Sequence, residues 1–111
     1  MVIVNLHIDD HKNGDSSILK LSGEIDAYTA PRLKEHLLNL IEENKEVQVD
    51  MQQVNYMDST GLGVFISALK TSKEVDKTFK LINLQDNVYR LFNITGLNEV
   101  IDIENTVRGG M

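Results

Sequence analysis

The residues best placed to do chemistry lie together in Met57-Asp58-Ser59-Thr60-Gly61-Leu62-Gly63. These hydroxyls and glycines fall where a strand-like run, Val47 to Met51, gives way after a short polar connection to an amphipathic stretch, Leu62 to Leu69. The first N–H groups of a helix have no intrahelical partner, and the helix dipole puts partial positive charge beside them. Such a terminus tolerates a phosphate. With Asp58 as N-cap, its carboxylate accepts from an N–H one turn in, and Ser59 becomes the first helical residue, its hydroxyl open to modification. The local pattern supports two readings, a plain helix cap or a modifiable serine.

Other chemistries fit less well. A phosphate-binding loop of the Walker type needs a lysine after the second glycine, where Val64 stands. The dinucleotide pattern needs a small third residue, where Ile66 stands. Gly61 and Gly63 then serve close packing against the sheet or a partner. A serine-hydrolase elbow needs a glycine two residues before Ser59, and Met57 is there. A nucleophile also needs a base. Of the histidines, His7 falls in a strand, His11 in a turn and His36 on the polar side of a helix. Asp9-Asp10-His11 groups metal-ligand types without a spaced second set, as a solvated hairpin turn would. Glu24 and Asp26 have the types of a general acid/base pair, but they equally suit capping a helix and making its rim acidic. Lys70 and Lys73 read as a solvated helix face.

Elements that can position these residues are legible in the periodicity. Val2, Val4, Leu6 and Ile8 alternate as a strand with one buried face. Asn13-Gly14 within polar Asp9–Asp15 signals a hairpin turn. Ser17 to Ser22 is the returning strand, ended by Gly23. Pro31 suits a first helical turn, capped by Thr29 or Asp26. Leu33, Leu37, Leu40 and Ile41 give that helix its apolar stripe, and Asn44-Lys45 ends it. Val47, Val49 and Met51 form a strand. Leu62, Phe65, Ile66 and Leu69 stripe a second helix, and Phe79–Ile82 is the next strand. Val88, Leu91 and Phe92 mark a third helix stopped by Gly96, and Val100–Ile103 is a last short strand. The order β-β-α-β-α-β-α-β predicts an α/β domain whose mixed, mostly parallel sheet has four to five strands and three to four helices. Right-handed crossovers should bring the Glu24–Thr29 turn and the start of the second helix to one rim.

Composition sets outer limits. The 111 residues suit one domain, residues 1–111, with 104–111 expected as a flexible tail. A 41% hydrophobic and 25% charged chain is an ordinary globular composition. A formal charge of −6 argues against nucleic acid as main partner and fits a basic surface on another protein. No apolar run is long enough for a membrane span, and the start lacks a signal-peptide pattern. Zero cysteines exclude disulfides and thiolate chemistry and are consistent with a cytoplasmic protein. An aspartyl-phosphate receiver is the alternative small α/β signalling domain. Against it, Asp9-Asp10 leads into a hairpin, and Asp50 lies inside a strand rather than past its end.

Two segments, Gly23-Glu-Ile-Asp-Ala-Tyr-Thr-Ala-Pro-Arg-Leu33 and Tyr56-Met-Asp-Ser-Thr-Gly-Leu-Gly-Val-Phe65, resemble the signatures of the anti-sigma-factor antagonists. These are single-domain STAS proteins of bacterial partner switching, and the resemblance to the general-stress antagonist is strongest. It covers Val2 to about Ile103; the Gly109-Gly110-Met111 ending is not part of the pattern. The resemblance implies a non-enzymatic regulator, without cofactor, of stress-response transcription. Its unphosphorylated form binds an anti-sigma factor that is also a serine kinase and frees the sigma factor. Phosphorylation by that kinase, at the position of Ser59, ends binding, and a metal-dependent PPM-type serine phosphatase restores it. Asp58, Thr60, Gly61 and Gly63 are then expected beside Ser59 in the partner-binding rim, with Glu24, Asp26, Tyr28 and Thr29 completing it. No membrane is implied.

Overall fold

The computed structural model describes residues 5–104. The elements are β1 (Leu6–Asn13), β2 (Ser16–Ile25), α1 (Ala30–Glu43), β3 (Glu46–Met57), α2 (Ser59–Glu74), β4 (Thr78–Ile82), α3 (Asp86–Thr95) and β5 (Asp102–Glu104), with a 3-10 turn at Leu97–Glu99 before β5. They form a five-stranded sheet ordered β1-β2-β3-β4-β5, with β1 antiparallel to β2 and the other neighbours parallel. The expected order of elements is therefore the observed one.

Every parallel connection steps one strand in the same direction. Right-handed crossovers then place all three helices on one face. The core follows from this: Leu19, Leu21, Val47, Val49, Met51, Phe79 and Leu81 point from the sheet toward Leu33, Leu37, Ile41, Phe65 and Phe92 of the helices, and all are buried. Phe65 stacks on Phe79 at 6.4 Å between ring centroids and meets Phe92 at 6.1 Å. The alternate positions, such as Lys20, Gln48, Asp50 and Lys80, face away from the helices and stay at least partly exposed. They are polar because that face has no covering layer.

Strand lengths differ from the sequence pattern. Val2 and Val4 lie outside the described residues. β1 continues through Asp9-Asp10-His11-Lys12, each paired with β2, so the hairpin turn shrinks to Gly14-Asp15. Acidic residues on this edge strand are solvated and discourage pairing with another chain. His11 is thus a strand residue, bonded to Asp9 at 3.0 Å, and His36 reaches Asp10 at 2.8 Å across from α1. β2 does not end at Gly23. The register shifts there, Gly23 takes φ +124°, and a Cβ would overlap the Asn5 carbonyl. A bulge of this kind bends the strand without ending it. β3 likewise runs on to Met57. β5 begins only at Asp102, because Leu97–Glu99 closes a 3-10 turn first and leaves Val100 exposed. The tail expected at 104–111 falls outside the described residues except for Glu104, which ends β5.

α3 stops where its sequence says. Gly96 is the C-cap at φ +79°, a left-handed conformation that L side chains adopt at a cost. Nothing crowds its Cβ position, so the cost of Gly96→Ala is that of the backbone alone. We expect about 1 kcal/mol of lost stability in urea unfolding, and no loss would show that the helix end can relax.

Candidate functional site

The carboxyl ends of β2 and β3 meet at one rim. Glu24 pairs with Tyr56 and Ile25 with Met57, and the Asp58 N–H donates to the Ile25 carbonyl at 3.3 Å. This bond ties the start of α2 to the turn that leads into α1. The expected convergence of the two motifs is therefore present.

Asp58 caps α2. Its backbone is extended, and its Oδ1 accepts from the Thr60 N–H at 3.0 Å and the Gly61 N–H at 3.3 Å. Ser59 is the first helical residue and is exposed, as is Thr60. An aspartate in this position satisfies donors that the helix leaves open and places negative charge at the positive end of the dipole. We expect Asp58→Ala to cost about 1 kcal/mol in urea unfolding and Asp58→Asn only part of that. An unchanged midpoint in Asp58→Ala would mean that solvent replaces the cap at no cost.

The second motif folds around a small hydrogen-bonded box. Asp26 Oδ1 accepts from the Tyr28 N–H at 3.0 Å and the Thr29 N–H at 3.1 Å. The Asp26 N–H donates to Thr29 Oγ1 at 2.9 Å, and that hydroxyl donates to the Glu24 carbonyl at 3.0 Å. Thr29 stands at the N-cap of α1 but makes no side-chain cap bond, and its backbone is already helical. It is also buried, so the expectation of Thr29 on a partner-facing rim is corrected: it shapes the turn from inside. Asp26 is half-buried in the same role. Tyr28 is 70% exposed, and the half-exposed ring of Tyr56 stands on the neighbouring strand end.

The two glycines of the second motif behave differently. Gly61 is buried, and a Cβ there would come within 2.8 Å of Ile25 Cγ2 and closer still to Met57 Cγ. Gly63 is exposed, and a Cβ there would meet nothing within 4 Å. Beside it an open groove of about 430 Å³ runs between α1 and α2. Ala30, Pro31 and Lys34 line it from one helix, and Thr60, Gly63 and Val64 from the other. The sequence pattern does not point to this groove, since Lys34 lies off the apolar stripe of α1.

The acidic residues do not gather as in a receiver. Asp50 pairs along the sheet with Lys20, and Lys20 with Asp9, on the face away from the helices. Two strand spacings, about 10 Å, separate Asp9 from Asp50, with a lysine between them. Asp50 instead accepts from the Gln52 N–H at 3.0 Å. Among the described residues no helix is long and apolar enough to cross a membrane.

The molecule is thus a one-sided α/β domain that presents a capped, exposed serine at the rim of its parallel strands. The STAS domain family model matches residues 7–110. The anti-sigma-B factor antagonist of Bacillus subtilis (strain 168) is 41% identical over 108 residues, which cover 97% of this chain and 99% of that one. The chain belongs to the STAS domain family, among the anti-sigma factor antagonists. Two solved structures of lower identity share the fold. The anti-sigma factor antagonist SpoIIAA in its unphosphorylated form has a TM-score of 0.78 at 16% identity and covers 94% of this chain and 91% of its own. The Bacillus cell fate determinant SpoIIAA in the phosphorylated form has a TM-score of 0.73 at 15% identity, covering 94% and 95%.

Proposed function

We propose that this protein is a phosphorylation-controlled antagonist of an anti-sigma factor. In the unphosphorylated form it binds an anti-sigma factor that is also a serine kinase, and so releases a sigma factor for stress-response transcription. The kinase transfers phosphate to Ser59, the complex dissociates, and a PPM-type serine phosphatase restores the binding form. ATP is the kinase's substrate and this chain brings no cofactor. We place the cycle in the cytoplasm, where sigma factors meet RNA polymerase.

The observation that carries this reading is the exposed hydroxyl of Ser59 at the first position of a capped helix, in a family relative of anti-sigma-B factor antagonists. Asp58 rigidifies the helix start and so presents Ser59 to a kinase. Thr60 is exposed beside it and is the alternative acceptor. Gly61 brings α2 close to the sheet, which fixes the height of Ser59 above the rim. Glu24, Asp26 and Tyr28 form the rest of the binding rim, Tyr28 as a large exposed anchor. The acidic members suit a basic patch on the kinase.

The test is phosphosite mapping by mass spectrometry after incubation with the cognate anti-sigma kinase and ATP. One acid-stable phosphoryl group on Ser59, absent in Ser59→Ala, is the expected result. Stable phosphate on Thr60 or elsewhere would overturn the assignment. A labile, magnesium-dependent acyl phosphate on an aspartate would restore the receiver reading.

A further inference from the structure

A glycine inside a helix needs a reason, because it is a poor helix former. Gly61 has one in the fold itself, since Ile25 and Met57 occupy the space of a side chain. Gly63 has none there: it is helical, exposed and uncrowded. What its missing side chain does is keep the α1–α2 groove open at a point one helical turn from Ser59.

From this we infer that the groove is the seat of an aliphatic side chain of the anti-sigma kinase, followed by a carboxylate that meets Lys34. The apolar part rests on the exposed Ala27 and Pro31, with the buried Ala30 and Val64 as its floor and the Thr60 hydroxyl beside them. The charge rests on Lys34. It lines the groove and forms no ion pair among the described residues, in a chain whose net charge is −6. A cation beside an apolar slot selects an acidic group next to an apolar one. The rim around Ser59 is acidic and takes basic groups; the groove thus gives the interface a second, oppositely charged anchor and fixes its register. The assignment rests on the proposed function and deepens it.

The experiment is calorimetric titration of the native chain, Gly63→Ala, Gly63→Leu, Lys34→Ala and Lys34→Glu with the cognate anti-sigma kinase, with a melting curve and sedimentation of each. Gly63→Ala should melt about 4 °C higher, because alanine favours the helix and meets no obstacle. Gly63→Leu fills the groove and should bind about tenfold or more weakly without melting lower. Lys34→Glu should weaken binding about tenfold and Lys34→Ala by less. If the native chain binds and Gly63→Leu binds equally well, the groove assignment falls and the Ser59 reading stands. If Gly63→Ala melts lower than the native chain, the glycine serves folding and the assignment falls. A native dimer that Gly63→Leu dissociates would give the groove to a second copy and overturn it too. No binding by the native chain would remove the proposed function and this inference together.

Discussion

Phosphorylated on Ser59, the chain is expected to bind the anti-sigma kinase about a hundredfold more weakly while its fold stays intact. A phosphoserine adds about −1.5 to −2 charges and three acceptor oxygens. The helix terminus favours that charge by roughly 0.3–1 kcal/mol at an exposed site. Asp58 opposes it, and its Oδ1 already holds the Thr60 and Gly61 N–H groups. The phosphate cannot take those donors without displacing the cap. It is therefore held outward, toward whatever the kinase packs against Ser59. The intramolecular terms nearly cancel, and the added charge and bulk act at the interface. A loss of ~3 kcal/mol of binding is the stated hundredfold. Titration calorimetry of the two forms measures it, and amide hydrogen exchange tests its locality. Protection should change only around the start of α2 and the neighbouring rim. Loss of protection across the far ends of β3 and β4 would show refolding and refute the local mechanism.

Phe65→Ala is expected to cost about 3–5 kcal/mol, the range for a fully buried aromatic side chain. Phe65 is fully buried and meets Phe79 of β4 and Phe92 of α3. Removing it deletes apolar contact and leaves a cavity that three elements border. Against a total stability of roughly 5–15 kcal/mol, that is enough to leave a substantial unfolded fraction near body temperature. The consequence for function is indirect: α2 loses its aromatic contacts with β4 and α3, and Ser59 at its start is held less firmly. Urea unfolding should show a lower midpoint with an unchanged slope. A loss under about 1 kcal/mol would mean that Phe79 and Phe92 collapse into the space.

How much of this was legible before folding depends on how local each feature is. The Asp58 cap, Pro31 in the first turn of α1 and the Gly96 stop were readable, since each is decided by residues within one helical turn. The element order was readable because hydrophobic periodicity changes from two to about four residues along the chain. Strand limits were not. Gln52-Gln53 and Asp9-Asp10-His11 break or lack the apolar pattern, yet they stay extended: β2 pairs with Gln53 and with Asp9 to His11, and the side chains of Asp50 and Gln85 satisfy the backbone of Gln52.

The α/β class, the order of the elements and the capped helix opened by Ser59 are all legible in the chain. Those outcomes follow from propensity, spacing and capping between near neighbours. Tertiary packing buries Thr29 and brings His36 to Asp10 across the edge of the sheet. It alone separated Gly61, pressed against Ile25 and Met57, from Gly63, which borders an open groove with Lys34. Two glycines with a single leucine between them look alike in the chain. Which of them meets protein and which meets solvent depends on how the helix is set against Met57 at the end of β3 and Ile25 at the end of β2.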